Sequence, residues 1–140
     1  MFALRIVIDT NIVVSAALNE DGLQRAVLLI ALAKPARLYV SAPIVEEYSR
    51  VLAPPSLRIP RGLRQQMLQL IKNRSHIVLP KQHLEGALDP DDNMFLECAH
   101  AARADYLVTG NLKHFPKFWK NTKVVNARDF VTLAAPHLLG

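Results

Sequence analysis

The chain is short of cysteine, of acid and of long apolar runs, and each shortage removes a class of protein. Cys98 is the one cysteine in 140 residues, so no internal disulfide can form, which fits a reducing compartment. The longest unbroken apolar run, residues 26–33, falls far below the roughly 20 residues needed to cross a bilayer. The opening stretch MFALRIVIDTN lacks a signal-peptide layout and runs straight into a strand-like pattern. No internal repeat, low-complexity segment or linker breaks the chain. The expectation is a soluble, cytoplasmic protein with no membrane partner, one domain over residues 1–140. Acid is the scarcer charge: 12 Asp and Glu stand against 17 Lys and Arg, giving +5 and a pI near 9.7. A net positive surface attracts polyanions, nucleic acid first among them. Hydrophobic residues make up 51% of the chain, which is enough for a packed core.

What is present alternates between two patterns. LRIVID (residues 4–9) is short, β-branched and almost wholly apolar, as a strand buried on both faces must be. RLYVS (37–41), HIVLP (76–80), DYLVT (105–109) and TKVVN (122–126) read as further strands. Between them, NIVVSAAL and residues 22–34, 43–53, 63–74 and 91–103 read as helices, with PPSLRIPRG as a loop, and ARDFVTLAA closes the chain as a helix. Pro43 falls in the first turn of its helix, where a missing N–H costs nothing. Strands alternating with helices predict an α/β fold: a mainly parallel central sheet covered by helices on both faces, a three-layer sandwich.

In an open parallel sheet, ligands bind beyond the carboxyl ends of the strands, and acids collect there. Asp9 ends the first strand. Glu46 and Glu47 lie early in the helix after the second. DPDDN, with Asp89, Asp91 and Asp92, opens the helix leading to DYLVT. Acids gathered from separate strand ends repel one another unless a cation lies between them, and all-oxygen ligand sets suit hard divalent ions such as Mg²⁺ or Mn²⁺. Each acid also has a purely structural use. DPDD is close to an ideal helix start, and Asp9 can cap the helix that follows it. Helix phase separates one pair. Ile44, Val45, Tyr48, Val51 and Leu52 define an apolar face; at about 100° per residue Glu46 points away from it, while Glu47 sits at its edge. The same exercise does not separate Asp92 from Asp91.

VIDTN, SAPIVEEYSRVL, DPDDNMFLECAHAARADYLVTGN and LKHFP together resemble the PIN domain, and more narrowly the bacterial PIN-domain toxins of toxin–antitoxin pairs, relatives of the VapC-type toxins. The resemblance runs from about residue 5 to residue 130. It implies a Mg²⁺- or Mn²⁺-dependent endoribonuclease on a compact α/β/α sandwich, with Asp9, Glu47 and Asp92 as the acidic centre and Asp89 near the metal. Many PIN nucleases carry a fourth acid after the strand corresponding to DYLVT; this chain has Asn111, whose carbonyl oxygen still offers a ligand. The missing charge implies a weaker second metal position. Asn11 and Thr109 are expected to hold carboxylates in place, unless they serve only as turn and strand-end hydrogen-bonding groups. The resemblance also implies a small antitoxin as partner and a homodimer.

NLKHFPKFWKNTK begins at Asn111. Lys113, His114, Lys117, Lys120 and Lys123 are interleaved there with Phe115, Phe118 and Trp119, a composition suited to single-stranded RNA through phosphate pairing and base stacking. The structural alternative is a loop whose aromatics close the core. The run AVLLIALA sweeps more than two helical turns, so some of it must face away from its own core and mark an interface, with Leu29 or Leu32 outermost. Competing functions thin out quickly. A phosphatase of the aspartate type needs a second aspartate two residues after the first, and Asn11 stands there; a receiver domain needs paired acids after its first strand. A housekeeping ribonuclease without antitoxin and a catalytically weak PIN-fold module that binds RNA or a partner remain as alternatives.

Overall fold

The computed structural model describes residues 3–81, 83, 86–87 and 89–139. The sheet is built around β1 (Arg5–Ile8), whose Ile6, Val7 and Ile8 have no exposure at all. Successive strand residues point to opposite faces, so three buried in a row require cover on both sides. β1 pairs in parallel with β2 (Arg37–Val40) on one side and β4 (Tyr106–Val108) on the other. β3 (His76–Ile77) extends the sheet beyond β2, and β6 (Thr122–Val125) extends it beyond β4. β5 (Phe118–Trp119) closes the far edge antiparallel to β6, giving the order β3-β2-β1-β4-β6-β5.

The helices are α1 (Thr10–Leu18), α2 (Leu23–Leu32), α3 (Ala42–Leu52), α4 (Arg61–Arg74), α5 (Asn93–Ala102) and α6 (Ala127–Ala134). α5 packs across β1, β2 and β4, while α2 and α6 pack on each other and on β2 and β4 respectively. The result is the expected three-layer α/β/α sandwich with a mainly parallel sheet. Among the described residues, no helix is long and apolar enough to cross a membrane.

Several elements differ from the sequence expectation. The third strand shrinks from residues 76–80 to His76–Ile77, both exposed, because β2 offers only Tyr39 and Val40 as partners at the sheet edge. Residues 55–57 form a short 3-10 turn inside the expected loop, and α4 begins at Arg61, two residues early. The helix expected over 91–103 is a 3-10 turn (Pro90–Asp92) followed by α5, which stops at Ala102 because Arg103 turns left-handed at φ 51°. Phe118–Trp119, expected in a loop, forms the antiparallel β5. Of the α2 run, Val27, Leu28, Ala31 and Leu32 are buried, whereas Leu29 is 55% exposed.

Candidate active site

The parallel register decides which side chains meet. Ile8 pairs with Val108, and Val108 with Val125, so Asp9, Thr109 and Asn126 leave the sheet side by side. The Asp9 backbone N–H donates to the Val108 carbonyl, and that of Thr109 to the Val125 carbonyl. Asp9 is 5% exposed. One carboxylate oxygen accepts from the Thr10 N–H at 2.7 Å, which caps α1, and the other accepts from the Thr109 hydroxyl at 2.7 Å. Thr109 is fully buried and also accepts the Asn111 backbone N–H at 3.0 Å, so it ties the strand end, the acid and the following loop together.

Glu47 reaches the same place from α3. It is half-buried with Oε2 accepting from the Thr10 hydroxyl and Oε1 3.5 Å from the guanidinium of Arg50, while Glu46 is exposed, as helix phase requires. Beneath them Tyr48 has no exposure and donates its hydroxyl to the Ile8 carbonyl. Burial, with the neighbouring Cys98, Asp9 and Glu47, pushes that phenol well up, so it stays a donor. Burial alone holds the Cys98 thiol at about 12, an inert group. Sequence reading missed Thr10 and Tyr48 as supports of the site. A hydroxyl directly after a strand-ending aspartate, and one directly after Glu47, were the available signals.

The Asp89–Asp92 turn divides its labour. Asp89 accepts from the Asp91 N–H at 3.0 Å and is a cap; Asp91 is exposed. Asp92 is half-buried, with Oδ2 3.4 Å from His114 Nδ1. Asn93, the first residue of α5, is buried and accepts the Ala87 N–H at 2.9 Å, which fixes the approach to this turn. Asn11 accepts the Gly110 N–H at 3.1 Å and so steadies the loop after β4 rather than a carboxylate. Asn111 is exposed beside this loop. The lysines separate: Lys113 and Lys117 line one groove with Lys123, whereas Lys120 stands over the Trp119 ring, 5.8 Å from its centroid, beside a different cavity.

Burial is the larger influence on Asp9 and Asp92, and the neighbouring acids add to it. Burial pushes the Asp9 carboxyl up to about 6; the Thr109 hydrogen bond opposes that shift, and the charges of Asp92 and Glu47 add to it. Asp92 is raised by burial, then by Asp89, with His114 opposing and Glu47 adding. Among the described residues no three His, Cys, Asp or Glu side chains are gathered closely enough to hold a metal ion between them. Bare carboxylates repel, and here Glu47 is held toward Thr10 and Arg50 while Asp92 is held toward His114. The donor set is nevertheless all oxygen, with negative charge in excess of local cations, and that chemistry fits a hard divalent ion.

A family model described as PIN domain matches residues 5–113. The chain belongs to the PIN-domain family. PIN domains are generally nucleases that use divalent metals. This PIN domain is 28% identical over 111 residues to the uncharacterized protein MJ1680 of Methanocaldococcus jannaschii, spanning 77% of this chain and 71% of that one. It shares its fold with a chain of VapBC2 from Rickettsia felis, solved bound to a DNA fragment from the promoter of that pair. The TM-score is 0.56 and the identity 20%, with 88% of this chain and 98% of the other covered.

Proposed function

We propose that this PIN domain is a Mg²⁺- or Mn²⁺-dependent endoribonuclease, the toxin of a toxin–antitoxin pair. The observation that carries the reading is that Asp9, at the end of β1, and Glu47, from α3, meet on the same residue, Thr10, with the charges of Asp92 and Glu47 adding to what burial does to the Asp9 carboxyl. Asp9 and Asp92 would hold the ion, Asn111 adding a neutral oxygen. When bound, the ion polarises the scissile phosphate and lowers the pKa of a coordinated water. Thr109 and the Thr10 N–H keep both oxygens of Asp9 aimed and ionised. Glu47, anchored by Thr10, orients the attacking water or completes the ligand set. Asp89 shapes the turn that presents Asp92. His114 and Lys113, which line a cavity with Asn111, would contact the phosphodiester backbone.

The toxin assignment draws on the fold shared with the VapBC2 chain, and the antitoxin on the same likeness. For the homodimer the supporting feature is exposed Leu29 in a cavity of about 430 Å³ between α2 and α4, lined by Leu28, Leu32, Leu63, Met67 and Leu70. The deciding assay is cleavage of defined RNAs with Mg²⁺ or Mn²⁺, wild type against Asp9→Asn. Cleavage by the wild type that the substitution lowers by roughly a hundredfold or more supports the reading. Equal cleavage by both, or none by either, overturns it; binding without cleavage would leave the PIN-fold binding module. A small neighbouring reading frame encoding an antitoxin separates the toxin from a housekeeping ribonuclease.

A further inference from the structure

The hairpin β5–β6 sorts the basic aromatic segment onto two faces. Phe118 stands directly opposite Lys123, and Trp119 opposite Thr122. Cross-strand partners share a face, and neighbours along a strand do not. Trp119 therefore turns under Lys120, toward the α5 side, while Phe118 and Lys123 look out together toward α6. There they form, with Leu112 and Leu133, an apolar groove of about 740 Å³. Phe118 is 62% exposed, Leu133 50% and Leu112 40%, so the floor is open. Among the described residues, Lys113 and Lys117 complete a rim of three ammonium groups, against which Asp129 is the one lining acid.

A second, smaller cavity of about 280 Å³ lies between Asn111, His114 and Asn126 and shares Leu112 and Lys113 with the groove. The Asn126 side-chain oxygen Oδ1 is taken by the Asp129 N–H at 2.8 Å, which leaves its side-chain N–H₂ as the end available to a ligand. His114 in turn stands against Asp92. A continuous track thus runs from the acidic centre, past Asn126, to an exposed ring among lysines. Lys117, Phe118, Lys123 and Leu133 all lie beyond the residues matched by the family model.

We infer that this groove is a substrate subsite for single-stranded RNA, in which a base flanking the scissile phosphate stacks on Phe118 while Lys113, Lys117 and Lys123 hold the adjoining phosphates. An apolar floor alone would suit a protein partner equally. The three lysines around one exposed ring, and the continuity with a site built for phosphodiesters, favour nucleic acid, since every base offers a flat face and every nucleotide a negative charge. The inference rests on the ribonuclease reading.

The test measures cleavage of a fluorescent single-stranded dodecamer and of a tetranucleotide cut at the same step, with wild type, Phe118→Ala, Phe118→Trp and Lys123→Ala. Phe118→Ala should raise KM for the dodecamer roughly tenfold, the size of one lost stacking contact, while the tetranucleotide rate moves less than about twofold. Phe118→Trp should restore the dodecamer KM. Lys123→Ala should reduce the salt dependence of dodecamer binding by about 0.7 in log–log slope, one phosphate contact. Equal effects on both substrates, or none on either, would overturn the subsite while leaving the nuclease in place. Altered sedimentation of Phe118→Ala with unchanged dodecamer kinetics would do the same in favour of a protein surface. A wild type that cleaves neither substrate would instead sink the ribonuclease reading, and the subsite with it.

Discussion

At the scale of single residues, Asp9 carries the cost of the site. Burial pushes its carboxyl up to about 6 in the folded protein from 3.8 when unperturbed, so the folded state binds that proton more tightly than the unfolded chain does. The Asp9 contribution to metal-free stability is therefore fully present below about pH 4, is lost as pH rises to about 6, and is flat beyond; at 1.36 kcal/mol per pH unit the loss approaches about 3 kcal/mol. Asp9→Asn keeps the helix cap and removes the charge. Metal-free, it should equal or exceed wild type in stability at pH 7 and lose that advantage near pH 4, as urea melts at the two pH values will report. Marked destabilisation at pH 7 would make Asp9 a structural residue. Thr109 acts in the opposite sense, because its hydroxyl favours the charged carboxylate. Thr109→Val should cost about 1–3 kcal/mol through unpaired buried groups. It should also move the acid limb of the cleavage pH profile upward, with Thr109→Ser close to wild type. An acid limb that stays put in the valine variant would refute the coupling.

At the scale of elements, α5 shows how a terminus fixes the site. It starts directly from the 3-10 turn that Asp89 caps, and it is ended by Arg103, whose N–H reaches the Ala99 and His100 carbonyls while Ala104 also bonds Ala99. That closure requires a left-handed residue, and a β-carbon there costs about 1 kcal/mol. Arg103→Gly should accordingly raise stability by about 0.5–1 kcal/mol without changing cleavage, measurable as a higher urea midpoint at constant slope. A lower midpoint would mean that the Arg103 side chain contributes more than its backbone costs. The β5–β6 hairpin is the other informative element. By turning Phe118 and Trp119 to opposite faces, it separates Lys117 and Lys123 from Lys120, three positions from each in sequence.

At the scale of the whole molecule, both faces of the sheet are covered, and yet α2 still leaves Leu29 outside. A buried α2 would have been the simplest way to use AVLLIALA; α1, α4 and α6 cover most of it instead, and the α2–α4 cavity remains open. If that surface joins two copies, Leu29→Lys should yield a folded monomer with an unchanged circular dichroism spectrum, seen as a halved mass in sedimentation equilibrium. A wild type that is already monomeric at high micromolar concentration would defeat the dimer.

By itself the sequence determined the features that local chemistry controls. A β-branched run such as RIVI suits a strand covered on both faces, as in a parallel sheet. An aspartate at its end must lie at the carboxyl edge, and helix phase alone turns Glu47 inward and Glu46 outward. The tertiary structure decided what depends on partners distant along the chain. Asp92 was distinguished from Asp91 by burial and by His114, 22 positions away. β3 shortened because β2 ran out of partners. Two residues of β5 carry no periodicity to read, since an alternation needs more than one repeat, and only pairing with β6 defines them. The allocation of lysines to the groove or to the opposite face followed from that pairing, because a strand's two faces have meaning only once its neighbour is in place.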